Sequence, residues 1–147
     1  MITHLKQLFT TNNSEDEAAS DKNIKLACAA LMVEVMVIDR ISIRAEQQQI
    51  IRMLHNRFGI DIEDAEELFA MAKNEVRDAT SLYQFTKIIN SKFHDQQKFE
   101  LIQQLWQVAY ADEDLDKHEE AIIRRIAELI YLPHSQFIRA KRLARDK

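Results

Sequence analysis

Residues 24–38 read IKLACAALMVEVMVI, and this stretch decides the fold. Apolar side chains recur on almost every side of it at helical spacing, which predicts a helix buried at the centre of a bundle. The run is interrupted by Lys25 and Glu34 and is shorter than the ~20 apolar residues that span a bilayer. We therefore interpret it as a core helix. The positions expected to point inward are Leu26, Ala29, Ala30, Val33 and Val37.

The overall composition also favours helices. The chain of 147 residues contains one glycine and one proline, and it lacks the Asn-Gly and Asp-Gly pairs that tight β-turns use. Its length corresponds to one domain. The sequence therefore predicts an all-α, single-domain bundle of seven to eight helices.

The helices can be placed by periodicity and by their end signals. Gly59 is a predicted helix stop and Asp61 a predicted N-cap. Residues 1–23 are expected to form a short helix and a polar linker, and residues 24–147 the helical domain. The first ten residues are amphipathic and are expected to dock on the body or, as the alternative, to touch a membrane surface. The predicted helices span about 21–38, 43–57, 62–76, 81–90, 95–111 and 117–130, with a last one after Pro133.

One segment recurs along the chain. A shift of 73 residues places Asp39 on Asp112 and Glu46 on Glu119, within two helix–acidic loop–helix patterns. Such self-similarity is typical of a duplicated architecture. We predict two related three-helix units, at about residues 24–76 and 97–145, bridged by the helix near 81–90. The matching residues also include Val35 with Val108 and Ile50 with Ile123.

The second acidic loop is the strongest candidate site. Six carboxylates fall within residues 112–120, and carboxylate oxygens are the ligands that Ca²⁺ and Mg²⁺ prefer. The alternating aspartates resemble the start of an EF-hand loop, but the sixth position is Lys117 and the twelfth is Ile123, so an EF-hand is rejected. No organic cofactor is expected. The predicted cation ligands are Asp112, Asp114, Asp116 and Glu119, with Asp39 and Glu46 as secondary ligands.

A second interpretation needs no metal. Asp116 and Glu119 have the spacing of a capping box, and acidic residues in a first helical turn favour the helix dipole. His118 would add a nitrogen ligand if the metal were a transition ion, although a lone histidine there is usually just exposed. The sequence does not decide whether the two acidic loops form one site or two.

Several classes of function are disfavoured. The net charge of -4 is unlike that of a dedicated nucleic-acid binder. Cys28 is the only cysteine, so an internal disulfide is impossible, and a reducing compartment fits this cysteine usage. No secretory signal is evident. The chain has no Gly-rich phosphate loop and no nucleophile–base pattern, so we predict that it is not an enzyme.

Residues 105–141, reading LWQVAYADEDLDKHEEAIIRRIAELIYLPHSQFIRAK, closely resemble the TerB-like family of tellurite-resistance proteins. The shared pattern is an apolar helix, an Ala-Asp turn rich in acids, a glutamate, an Ile/Leu-rich helix and a Phe-Ile-containing helix. The glycine that follows the family's aspartate is Glu113 here and Arg40 in the first unit. A related domain occurs at the N-terminus of a membrane-anchored DnaJ-type co-chaperone.

The resemblance implies an all-helical duplicated bundle and a non-catalytic cytoplasmic protein of the stress-response type. It implies that Asp112 and Glu119, and less directly Asp39 and Glu46, bind a metal ion such as Ca²⁺. A protein partner is expected, and the oligomeric state is left open. The competing interpretation is a co-chaperone-like adaptor without a metal site.

Overall fold

The computed structural model of the chain describes residues 17–38, 43–112 and 117–146, with side chains except at 17–20, 43 and 112. This part of the chain contains helices and no strand, so the all-α prediction is confirmed. The elements are α1 (Glu17–Ile38), α2 (Ile43–Phe58), α3 (Ile62–Asp78), α4 (Tyr83–Lys92), α5 (Asp95–Ala109), a short 3₁₀ helix (Tyr110–Asp112), α6 (Lys117–Leu129) and α7 (His134–Arg145).

Helix α1 lies at the centre of the bundle and packs against each of α2 to α6. The small side chains of Ala27, Ala29 and Ala30 are fully buried, and they allow neighbouring helices to approach closely. The predicted central helix is therefore confirmed. One position differs, because Val37 is 41% exposed near the end of α1 instead of pointing inward.

The start of α1 differs from the sequence prediction. The helix begins at Glu17, about one turn before the predicted start near Asp21, so the last residues of the predicted linker are helical. The short N-terminal helix predicted for the first ten residues lies outside the described residues. No helix in the described ranges has both the length and the hydrophobicity needed to cross a bilayer.

Helix α7 packs against the other described helices through one of its faces. It lies against α5 and α6 and buries Phe137, Ala140 and Ala144, which are spaced three and four residues apart. Ile138 and Leu143 are 40% and 39% exposed, because their positions turn away from the packed stripe.

The helices fall into two groups that meet through α1 and through the contact of α2 with α5 and the 3₁₀ helix. Helices α1, α2 and α3 pack on one another, and α5 packs on both α6 and α7. Helix α1 contacts α5, and α4 contacts both α1 and α6. These contacts are compatible with two three-helix units joined by α4, as the sequence indicated. Their origin by duplication stays a prediction.

The turn between α2 and α3 follows the expected end signals. Gly59 has a φ of 63°, the left-handed region that glycine adopts without strain, and its N–H donates to the carbonyl of His55 at 3.1 Å. Asp61 caps α3, since its carboxylate accepts from the N–H of Asp64 at 3.1 Å. Both predictions are confirmed.

Helix α6 ends on an unusual residue. Tyr131 has a φ of 63° and is 79% exposed. The N–H of Leu132 donates to the carbonyl of Ala127 at 2.9 Å, and the N–H of Tyr131 donates to the carbonyl of Glu128 at 3.1 Å. Helices that end with this pair of hydrogen bonds usually have glycine at the position that Tyr131 occupies here. A tyrosine side chain in left-handed backbone is strained.

We expect Tyr131→Gly to raise the free energy of unfolding by about 1 kcal/mol, because it relieves this strain without removing a buried side chain. Urea unfolding measures the change. Gly59→Ala is the matched control: its φ is the same and a new Cβ would meet nothing within 4 Å, so the strain alone should lower the free energy of unfolding by about 1 kcal/mol. A loss of stability in Tyr131→Gly would contradict this account.

Candidate cation site

The structure describes only part of the predicted ligand set. The side chains of Glu46 and Glu119 are described. For Asp112 only the backbone is described, as the last residue of the 3₁₀ helix. The remaining predicted ligands fall outside the described residues. The ligand set as a whole therefore stays a prediction. Those remaining ligands are Asp39, Asp114 and Asp116.

Glu46 and Glu119 share an unusual environment. Each lies in the first turn of its helix, α2 or α6, and each side chain is 0% exposed. A buried carboxylate is costly unless hydrogen bonds, a counter-charge or a metal ion compensate it. The positive end of the helix dipole contributes to that compensation. Because both side chains are fully buried, these two acids are not part of a solvated surface. The neighbouring His118, by contrast, is exposed.

The beginning of α2 lies beside the second acidic loop. The 3₁₀ helix contacts α2 and extends from the end of α5. Ala45 and Ala111 line the same cleft, and they directly precede Glu46 and Asp112 in the chain. The fold thus brings the first turn of α2 to the same end of the bundle as the start of the second acidic loop. The sequence alone could not show that these two segments lie close together.

The described side chains do not complete a metal centre by themselves. Within residues 17–38, 43–112 and 117–146, no three His, Cys, Asp or Glu side chains come together in a group that could hold a metal ion. A complete site would need acids from residues 39–42 or 112–116 in addition to Glu46 or Glu119. The donors would then be carboxylate oxygens, which suit Ca²⁺ or another hard cation.

Two ionisable groups on α1 have pKa values altered by their surroundings. Burial raises the pKa of Cys28 to about 11, with a smaller opposing effect of the Arg57 charge. The thiol therefore stays protonated at neutral pH and is chemically inert. Burial also raises the pKa of Glu34, which is partly buried on α1, to about 7.

The Glu34 carboxyl predicts a pH dependence of stability. Its pKa rises from 4.5 to about 7 on folding, so the native state holds a proton that the unfolded state has lost between these pH values. The free energy of unfolding contributed by this group therefore falls as the pH rises from 4.5 to about 7. Glu34→Gln should stabilise the protein at pH 8 relative to the parent and change little at pH 4.5. Urea unfolding at both pH values checks this, and an equal effect at the two would contradict it.

Fold and site together define a small all-α bundle with acids gathered at helix starts. The family model described as tellurite resistance protein TerB matches residues 25–142. Since the match covers more than half of the chain, the protein belongs to the TerB family. No curated protein and no solved structure matches the chain significantly. The family resemblance found in the sequence is thus confirmed.

Proposed function

We propose that this protein is a non-catalytic TerB-type module of the cytoplasm that binds a divalent cation at the end of the bundle where α2 and the second acidic loop meet. The observation that carries the proposal is the complete burial of Glu46 and Glu119 in the first turns of their helices. Glu119 lies three residues after the acidic segment 112–116, and Glu46 lies four residues after the shorter segment 39–42 that contains Asp39.

The charge of the loop supports a cation at this place. Six carboxylates within residues 112–120 repel one another, and a divalent ion would relieve this repulsion. Ca²⁺ is the favoured ion, because it accepts six to eight oxygen ligands in a flexible geometry. Binding would order the loop and shape a face for a protein partner, which is how the module would act in a stress response.

The competing function is an adaptor that binds a protein without any metal. The exposed Ile138 and Leu143 on α7 favour it, since they are large apolar side chains that flank the packed stripe of this helix and that no other described helix covers fully. In that case the acids other than the buried Glu46 and Glu119 act as helix caps and solvated surface, and divalent ions leave the stability of the protein unchanged.

Calorimetric titration of the chelator-treated protein with Ca²⁺, Mg²⁺, Mn²⁺ and Zn²⁺ tests the proposal. We expect saturable binding of at least one ion, and a loss of about 100-fold or more in affinity when Asp112→Asn is combined with Glu119→Gln, since even outer-shell partners contribute about 10–100-fold.

The matched control combines Glu63→Gln with Glu67→Gln, which removes the same number of charges from the exposed face of α3. This control should bind the ion as the parent does. Unchanged binding in the Asp112/Glu119 variant would show that the site assignment is wrong.

A further inference from the structure

A cleft of about 600 Å³ opens between α2, the end of α5 with its 3₁₀ helix, and the end of α7. Its volume lies in the range of small-molecule sites, roughly 300–1,000 Å³. Three alanines form part of its walls, and their short side chains leave the cleft open. The lining residues are Ala45, Gln48, Gln49, Arg52, Gln107, Tyr110, Ala111, Ala144 and Arg145.

The polar chemistry of the cleft is that of an anion site. Two arginines come from different helices, Arg52 from α2 and Arg145 from α7, and none of the described lining residues is acidic. Guanidinium groups present several fixed donors that match the oxygens of a phosphate group.

Both arginines are positioned without a strong competing partner among the described residues. Arg52 is exposed and donates to the amide oxygen of Gln49 at 2.9 Å. Arg145 lies 3.6 Å from the carboxylate of Asp146, but these side chains are 58% and 66% exposed, and such an ion pair contributes little. Each guanidinium therefore keeps donors for a ligand.

The remaining lining groups suit a ligand larger than a bare ion. Three glutamine amides can each donate and accept hydrogen bonds. Tyr110 is held in place because its ring stacks on Trp106, with ring centroids 6.0 Å apart. An aromatic group beside several amides is suited to the organic part of a phosphorylated molecule.

A second cleft of about 620 Å³ lacks this character. It lies between α1, α2, α4 and α5, and its basic residues Arg57 and Lys92 are balanced by Asp21 and Glu100. The guanidinium of Arg57 already donates to Gln104 at 2.6 Å. The two clefts have similar volumes, but they differ in the charges of their lining side chains.

We infer that the cleft between α2, α5 and α7 binds a small phosphorylated molecule, whose phosphate lies between Arg52 and Arg145. The cleft borders the proposed cation site, since Ala45 and Ala111 in its wall precede Glu46 and Asp112. The phosphate site does not depend on the cation, because its donors are arginine and glutamine side chains.

Titration of the chelator-treated protein with inorganic phosphate and, separately, with ADP tests this inference. The ionic strength is held constant with chloride, and binding is followed by ¹H–¹⁵N spectra. We expect saturable shifts at the amides of Ala45, Ala111 and Ala144. Tighter binding of ADP than of phosphate would identify a phosphorylated metabolite as the ligand, and equal binding would identify free phosphate.

The variants separate a specific site from a general effect of charge. Arg52→Gln with Arg145→Gln should weaken binding at least about 10-fold, because two charge-assisted sets of hydrogen bonds are lost. Arg125→Gln with Arg142→Gln removes the same charge from exposed positions outside the cleft and should leave the affinity within about 2-fold.

Equal weakening in both pairs, or the absence of saturable shifts at the cleft in the parent, would overturn the inference. Since the titrations contain a chelator, a failure of the cation proposal leaves these outcomes unaffected.

Discussion

Trp106→Ala is expected to lower the free energy of unfolding by about 3–5 kcal/mol, as the loss of a large buried aromatic side chain usually does. Trp106 lies on α5 and is 0% exposed. Its ring centroid is 5.3 Å from that of Phe137 on α7, and the ammonium group of Lys141 lies 5.2 Å above the ring. The substitution thus removes an aromatic contact between α5 and α7, and the melting temperature should fall by roughly 10–15 °C.

Two controls make this prediction specific. The indole N–H of Trp106 is buried without a hydrogen-bond partner among the described residues, so Trp106→Phe removes no hydrogen bond to them and keeps an aromatic ring. It should cost less than about 2 kcal/mol. Tyr83→Ala removes a ring that is 62% exposed and should change stability by less than about 0.5 kcal/mol. Equal costs for Trp106→Ala and Tyr83→Ala would show that the core is not built around Trp106.

A divalent cation is expected to stabilise the chelator-treated protein by about 2.7 kcal/mol at 100 times its dissociation constant. For a domain of this size the melting temperature should then rise by several degrees. Differential scanning fluorimetry measures this with each ion in turn. The Asp112→Asn variant should lose most of the rise, because a predicted ligand is removed while the described core is untouched.

The control for this prediction is Glu63→Gln, which removes an exposed carboxylate of α3. It should keep the full rise. If every ion left the melting temperature of the parent unchanged, the acids of the loop would act only as caps and surface, and the adaptor function would be the better account.

The fold could be predicted because its main signals are local. The near-continuous apolar run at 24–38 determines the central helix, since only complete burial can accommodate it. Gly59 and Asp61 end one helix and begin the next through their own backbone and side-chain chemistry. The errors occur where the tertiary packing decides. Val37 has helical spacing suited to the core, but no neighbouring helix of the described residues covers it fully.

The site could be predicted only as a set of acids along the chain. The repeat placed Glu46 and Glu119 in equivalent positions, but spacing cannot reveal that both side chains are fully buried. The cleft with Arg52 and Arg145 was missed, because its residues come from helices far apart in sequence and carry no local motif. The sequence shows Glu34 as a polar residue within the apolar run. Its raised pKa could not be predicted, because it results from burial in the folded structure.

Paramagnetic Mn²⁺ provides the most direct test of the proposed cation site. Added in substoichiometric amounts to chelator-treated, ¹⁵N-labelled protein, it broadens the amide signals of residues close to the bound ion. The account predicts broadening at the start of α6 around Glu119, at the end of the 3₁₀ helix around Asp112, and at the first turn of α2 around Glu46. Broadening confined to the exposed acids of α3, or no selective broadening at all, would contradict it.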